Sequence, residues 1–117
     1  MLAADARLGL AGDFRIGMNE VAIGLTVPQF ALTLARHRLG PAGLAWVASA
    51  AMFDPEAPVG AGYLDRVGAA EQFDAAVTAN ATALRRLDPG SYRATTARIN
   101  APLPAELPAA WAEHKLN

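Results

Sequence analysis

The chain has 117 residues, enough for one domain at most, and its 53% hydrophobic and 18% charged residues exclude a disordered chain. The formal net charge of -1 leaves no basic surface of the kind that binds nucleic acid, so that class of protein is excluded. There is no cysteine, which excludes disulfides and thiolate metal sites.

Short strands separated by a turn are predicted in the first part of the chain. Residues 6–10 (ARLGL) and 14–18 (FRIGM) alternate as on strands with one solvated face, and the AGD between them signals a turn. From Pro28 the pattern becomes helical, because proline suits the first turn of a helix and Gly40 suits its C-terminal cap. A second helix is predicted over residues 41–53.

The remainder of the chain is predicted to be mainly helical. Residues 54–56 (DPE) indicate the start of a short helix, and residues 63–67 (YLDRV) indicate a brief strand. Residues 69–90 have the most regular helical pattern and end in proline and glycine. The apolar stripe of this helix consists of Phe73, Val77, Leu84 and Leu87. A further helix is predicted over residues 91–100, and residues 101–117 are broken by prolines before a final short helix that carries Trp111.

This order of elements predicts an α/β chain in which a few short strands are followed by helices. Two or three strands leave sheet edges open and cannot cover the apolar faces of all the helices, so we expect a piece of a larger fold. No apolar run reaches the roughly 18 residues that a membrane helix needs. We therefore expect a soluble, cytoplasmic protein that binds no membrane.

Two stretches of the sequence carry a family resemblance. Residues 4–28 (ADARLGLAGDFRIGMNEVAIGLTVP) resemble the middle of the enoyl-CoA hydratase/isomerase (crotonase) superfamily, and residues 50–73 (AAMFDPEAPVGAGYLDRVGAAEQF) resemble a later stretch of it. In the first stretch the matching positions are Asp5, Arg7, Phe14, Glu20, Val21, Gly24, Leu25 and Pro28. In the second they are Gly62, Asp65, Arg66 and Val67.

The resemblance implies a fragment of the crotonase β–β–α superhelix, an α/β fold whose members act on acyl-CoA thioesters in fatty-acid metabolism. It matches the C-terminal half of the family, with residues 1–67 as the end of the core and residues 68–117 as a C-terminal helical region. It also implies trimers or dimers of trimers. The backbone N–H donors for the thioester oxygen lie upstream of this half in relatives, and losing one costs on the order of 10²- to 10³-fold in rate. We expect the chain alone to be nearly inactive.

Glu20 is the candidate catalytic residue, because it resembles the family's glutamate at this position. Hydration of an enoyl thioester and isomerisation of its double bond both need proton transfer at carbon, which a positioned carboxyl accelerates roughly 10²- to 10⁴-fold. We expect Met18, Val21 and Val27 to shield this carboxyl from water. The structural alternative is that Glu20 caps a turn or pairs with Arg15.

Four residues near Glu20 are candidates for substrate binding, namely Asn19, Val27, Pro28 and Phe30. Relatives follow the proline with a glycine-rich run that this chain lacks, so the acyl-chain specificity stays open. In the family, hydratases use two glutamates and several isomerases only the one at the Glu20 position, so both reactions remain possible. No metal or redox cofactor is implied, and CoA enters as part of the substrate. The competing hypothesis is a truncated, non-catalytic remnant that serves as a binding or oligomerisation module.

Three other features are interpreted as structural. His37 lies between two arginines on a helix face, where a surface or packing role is expected. The GAG of residues 60–62 lacks the rest of a dinucleotide-binding fingerprint and is expected to end a helix. Asp65 and Arg66 are expected to form a structural pair near the end of a strand.

Overall fold

The computed structural model describes residues 1–116 and shows short strands followed by helices. The strands are β1 (Leu8–Leu10), β2 (Ile16–Gly17), β3 (Met52–Phe53) and β4 (Arg66–Gly68). The α-helices are α1 (Gln29–Ala48), α2 (Pro58–Ala61), α3 (Phe73–Arg85), α4 (Pro89–Ile99) and α5 (Leu103–Leu116). Two 3₁₀ turns complete the chain, Glu20–Ile23 and Ala70–Gln72. The predicted α/β class is confirmed.

Two small sheets join the two sequence stretches that carry the family resemblance. In the parallel pair, β1 and β4 align Leu8 with Arg66 and Leu10 with Gly68. In the antiparallel pair, β2 and β3 align Ile16 with Phe53. Each sheet has two strands within residues 1–116, so each presents open edges. The pairing brings the segment that contains Glu20 next to the segment that leads into β4.

An ion pair fixes the start of the parallel sheet. The Nη2 atom of Arg7 lies 2.7 Å from Oδ1 of Asp65, and the Arg7 backbone N–H donates to Oδ2 at 2.8 Å. The hydrogen bond from the Arg7 side chain is the main reason why the pKa of Asp65 lies below its usual value. The predicted pairing of Asp65 with Arg66 is therefore wrong, because Arg7 reaches the carboxylate from the neighbouring strand.

Helix α1 contains the break that the sequence predicts. Gly40 has φ 69° and ψ −175°, a conformation that glycine adopts readily, and it separates two helical segments. The second segment was predicted to reach residue 53. It ends at Ala48 instead, and residues 52–53 form β3. Pairing with β2 and the packing of Phe53 on Trp46, with ring centroids 5.1 Å apart, favour the strand over a longer helix. Helix α2 begins after a turn at residues 55–57, slightly later than predicted.

The core lies around α1, and the described residues of α3 and α4 contribute nothing to its buried cluster. The buried cluster consists of Leu2, Val27, Ala35, Val47 and Tyr63. None of the described residues of α3 or α4 is buried. Helix α3 lies within the predicted residues 69–90 but ends at Arg85, and the predicted end at Pro89 and Gly90 is wrong, because these two residues begin α4 after the Asp88 cap, which accepts from the N–H of Ser91. The predicted apolar stripe of α3 is largely exposed, at Val77, Leu84 and Leu87. The arm formed by α3 and α4 therefore has an apolar side that this chain leaves open to solvent.

The last helix returns to pack on α1. The ring of Phe30 contacts Trp111 and His114 edge-on, with centroids 5.2 Å apart in both cases. The Nε2 atom of His37 lies 3.0 Å from Oδ1 of Asn100, which joins α1 to the end of α4. His37 is therefore a packing residue, as predicted.

No helix within residues 1–116 is long and apolar enough to cross a membrane. The division into residues 1–67 and 68–117 stays a prediction, and residue 117 lies outside the described residues.

Candidate active site

Glu20 opens the 3₁₀ turn that follows β2. Backbone hydrogen bonds close this turn. The N–H of Leu25 donates to the Glu20 carbonyl at 2.8 Å, and the N–H of Gly24 donates to the Val21 carbonyl at 3.2 Å. Gly24 ends the turn with φ 79°, a left-handed conformation. The Glu20 side chain is therefore not needed to close this turn.

The Glu20 carboxyl has an oxygen that is both buried and unpartnered. Its Oε2 atom is excluded from solvent and no hydrogen-bond donor reaches it. Arg15, the partner considered in the structural alternative, forms its ion pair with Asp54 instead. A buried acceptor without a donor costs free energy, so its presence indicates either a functional acid or a partner still to be bound.

Tyr63 is the residue that sequence reasoning missed at this site. Its side chain is 2% exposed and belongs to the core cluster. Burial raises the pKa of the Tyr63 phenol, and the negative charge of Glu20 raises it further, while the backbone of Met18 acts in the opposite direction. The phenol thus lies within the electrostatic reach of Glu20. Tyr63 lies in the AGYLD of the second family stretch, next to the matching position Gly62, and this was the one sequence signal from which it could have been found.

The predicted apolar wall around Glu20 is present only in part. Val27 is buried, and Met18 packs against the core cluster. Val21, however, is 47% exposed, and the expectation that it shields Glu20 within this chain is wrong. Ile23 and Leu25 are also exposed, at 63% and 57%. The 3₁₀ turn therefore directs several apolar side chains outward, as a surface does before a partner covers it.

No family model and no curated protein sequence matches this chain. Solved structures do. A crystal structure of an enoyl-CoA hydratase/isomerase family protein from Pseudomonas syringae matches with a TM-score of 0.90 and 37% identity, covering 99% of this chain and 51% of that one. The chain resembles about half of a member of the enoyl-CoA hydratase/isomerase superfamily and has the fold of that superfamily.

Two further solved structures match a similar share of the chain. An enoyl-CoA isomerase from Mycobacterium tuberculosis has a TM-score of 0.84 and 27% identity, over 93% of this chain and 48% of that one. An enoyl-CoA hydratase from Mycobacterium ulcerans has a TM-score of 0.82 and 28% identity, over 97% of this chain and 51% of that one. The chain thus has the crotonase fold and spans about half the length of the solved relatives that it matches.

The four predicted substrate-binding residues lie in different surroundings. Asn19 is exposed and directly precedes Glu20, without capping the turn through its side chain. Val27 and Pro28 border a groove of about 390 Å³ between the start of α1 and the end of α5. Phe30 instead packs on α5. The structure therefore brings Val27 and Pro28 together, and the binding roles of all four residues stay predictions.

Within the described part of the chain, no group of three or more histidine, aspartate and glutamate side chains is arranged to hold a metal ion.

Proposed function

We propose that the complete protein acts on enoyl-CoA thioesters and that Glu20 transfers a proton at the carbon next to the thioester carbonyl. The observation that carries this proposal is the buried Oε2 atom of Glu20, which no donor occupies. A carboxylate engaged in a salt bridge would have its lone pairs committed, whereas this one keeps an acceptor free for a proton. The 37% identity with an enoyl-CoA hydratase/isomerase family protein over 99% of this chain supports the choice of substrate class.

Glu20 can supply the proton transfers of both hydration and isomerisation. In hydration, water adds to the β carbon and a proton is delivered to the α carbon. In isomerisation, the α carbon loses a proton and the γ carbon gains one as the double bond moves. Both pass through an enolate, and one carboxyl can act as base and then as acid, contributing roughly 10²- to 10⁴-fold. Solved relatives include an isomerase and a hydratase, so both reactions are retained.

Stabilisation of the enolate oxygen is assigned to a polypeptide segment outside this chain. The open edges of both sheets and the exposed side chains of Val21, Ile23 and Leu25 support further protein packing against this face. Without two oxyanion donors we expect little activity, since each is worth on the order of 10²- to 10³-fold.

The proposal also covers the substrate's position, the oligomeric state and the cellular location of the complete protein. The acyl chain lies near Val27 and Pro28, and CoA is part of the substrate rather than a separate cofactor. The exposed apolar side of α3 supports a homo-oligomer, a trimer or hexamer, in the complete protein. We place the activity in cytoplasmic fatty-acid metabolism. The non-catalytic alternative is not favoured, because an unpaired buried carboxyl oxygen has no purpose in a passive module.

The experiment is a complementation assay. The chain is mixed with the half of the Pseudomonas syringae relative that it does not cover, and the turnover of crotonyl-CoA and of a β,γ-unsaturated enoyl-CoA is followed by enoyl absorbance. We expect Glu20→Gln to lower turnover at least about 100-fold. Glu56→Gln, at an exposed glutamate, is the matched control and should leave it unchanged. Equal turnover by Glu20→Gln and the unmodified chain would overturn the proposal.

A further inference from the structure

We propose that a second cavity of this chain binds a carboxylic acid with an apolar tail, and that the carboxylate of this ligand lies against the guanidinium of Arg38. The cavity lies between the N-terminal segment (residues 2–5), α1 and α5. None of the residues that line it belongs to the 3₁₀ turn of Glu20, so the inference goes beyond the proposed function and does not depend on it.

The cavity has the size and the walls of a small-molecule site. Its volume is about 530 Å³, and ligand pockets in proteins typically measure roughly 300–1,000 Å³. Leu34 of α1 and Leu103, Leu107 and Trp111 of α5 provide apolar walls. Because burial of hydrocarbon against such walls is favourable, they would accommodate the apolar tail of a ligand.

Arg38 supplies a cation in this apolar lining. Its Nη2 atom donates to the Ala4 carbonyl, which ties the N-terminal segment to α1. Its Nε atom, in contrast, is buried and has no acceptor. A guanidinium N–H that has lost its water without gaining an acceptor is unfavourable. The chain therefore leaves the hydrogen bonding of this cation incomplete.

The carboxylates near Arg38 do not complete it. The hydrogen bond from Arg7 is the main cause of the lowered pKa of Asp65, and the charge of Arg38 contributes least, so Asp65 is committed to Arg7. Asp5 lines the cavity but is exposed, and within the described part of the chain it forms no ion pair with Arg38. Since arginine binds carboxylates through strong charge-assisted hydrogen bonds, a carboxylate is the head group that fits this position.

Asn100 adds a second polar group to the lining. Its Oδ1 atom lies 3.0 Å from Nε2 of His37, and this contact orients the amide. The amide nitrogen takes no part in that contact and can donate to an anion in the cavity. One cation and one amide match the single charge of a carboxylate better than the double charge of a phosphate.

The test uses Trp111 as a reporter of binding. In a Trp46→Phe background Trp111 is the single tryptophan, and it lines the cavity. Octanoate is the probe, and 1-octanol is the uncharged control with the same number of carbons. We expect octanoate to change the Trp111 fluorescence saturably and 1-octanol to bind at least about tenfold more weakly. The absence of a saturable change with octanoate, or equal affinity for the two probes, would overturn the proposal.

The role of Arg38 is tested by removing its charge. Arg38→Met keeps an unbranched side chain, and we expect it to weaken octanoate binding about tenfold while leaving 1-octanol binding unchanged. Arg36→Met, at an exposed arginine of α1 that does not line this cavity, is the matched control. Equal octanoate affinity in Arg38→Met and Arg36→Met would contradict the contact between the carboxylate and Arg38.

A second variant leaves Arg38 and its bond to Ala4 intact. Ala3 is exposed and lines the cavity, so Ala3→Phe reduces the space for the tail. We expect Ala3→Phe to weaken the binding of octanoate and of 1-octanol roughly tenfold. Unchanged octanoate affinity would mean that the probe binds elsewhere and that the proposal is wrong. None of these measurements uses turnover, so they decide the question whether or not Glu20 is catalytic.

Discussion

Arg7 holds Asp65 through both carboxylate oxygens, from Nη2 at 2.7 Å to Oδ1 and from the backbone N–H at 2.8 Å to Oδ2. The contact joins β1 to the segment that enters β4, and so connects two stretches far apart in sequence. The arginine side chain is 9% exposed, so water competes little for its guanidinium. The pair sets the register on which the position of Tyr63 depends.

Removing this arginine is expected to destabilise the fold. Arg7→Ala removes the donor to the Gly62 carbonyl and the guanidinium donors to the Asp65 carboxylate, which keeps only the backbone N–H of residue 7. We expect the free energy of unfolding to fall by about 1–3 kcal/mol. Urea denaturation followed by circular dichroism measures the change. Arg66→Ala, at an exposed neighbour in β4, is the control and should stay within about 0.5 kcal/mol of the unmodified chain. Equal losses for the two variants would refute the assigned pairing.

The same pair predicts how stability depends on pH. The hydrogen bond from Arg7 lowers the pKa of Asp65 below its ordinary 3.8, so the folded state binds this proton less readily than the unfolded chain. The contribution of Asp65 is therefore present above about pH 3.8 and is lost as the pH falls through the lower pKa of the folded state. We expect acid to destabilise the unmodified chain more steeply than Asp65→Asn, in urea midpoints measured against pH. Parallel curves would count against this linkage.

The break in α1 is expected to require glycine. Gly40→Ala places a side chain at φ 69°, and since no atom lies within 4 Å of the added methyl group, the cost is backbone strain alone. We expect a loss of about 1–3 kcal/mol in the free energy of unfolding. Gly68→Ala has equally open space without the positive φ and is the matched control, expected to cost little. If Gly40→Ala is as stable as Gly68→Ala, the break does not depend on glycine.

Phe30 is expected to matter for the docking of α5. Phe30→Ala removes the ring that contacts Trp111 and His114, and we expect a loss of about 1–3 kcal/mol together with a red shift of Trp111 fluorescence. A Trp46→Phe background leaves Trp111 as the single reporter. An unchanged spectrum and stability, combined with altered acyl-chain preference in the complementation assay, would favour the substrate-binding role predicted from the sequence instead.

The sequence predicted the helices whose ends are marked by proline or glycine, or whose apolar residues recur at helical spacing. Proline at position 28 and glycine at position 40 bracket the first segment of α1, and residues 69–90 contain α3. The strand at residues 52–53 was predicted as helix, because its partner β2 is distant in sequence and the local pattern gives no sign of that pairing. The same distance explains why Asp65 was paired with its neighbour instead of with Arg7.

At the candidate site, the family pattern identified Glu20 but could not describe its surroundings. The exposure of Val21 depends on which polypeptide covers the 3₁₀ turn, and no pattern within this chain contains that information. Tyr63 was missed because a tyrosine in an apolar run looks like a core residue, and only the folded structure shows that the charge of Glu20 raises the pKa of its phenol. The unpaired Oε2 atom of Glu20 was likewise beyond sequence reasoning.

The most direct test of the central claim is hydrogen exchange at the α carbon of a saturated acyl-CoA such as butyryl-CoA. This thioester has no double bond to hydrate or to move, so exchange with deuterated solvent isolates the proton transfer itself. In the complemented protein we expect mass spectrometry to show exchange that falls at least about 100-fold in Glu20→Gln and not in Glu56→Gln. Exchange at the same rate in Glu20→Gln and in the unmodified protein would contradict the assignment of Glu20 as the proton-transferring residue.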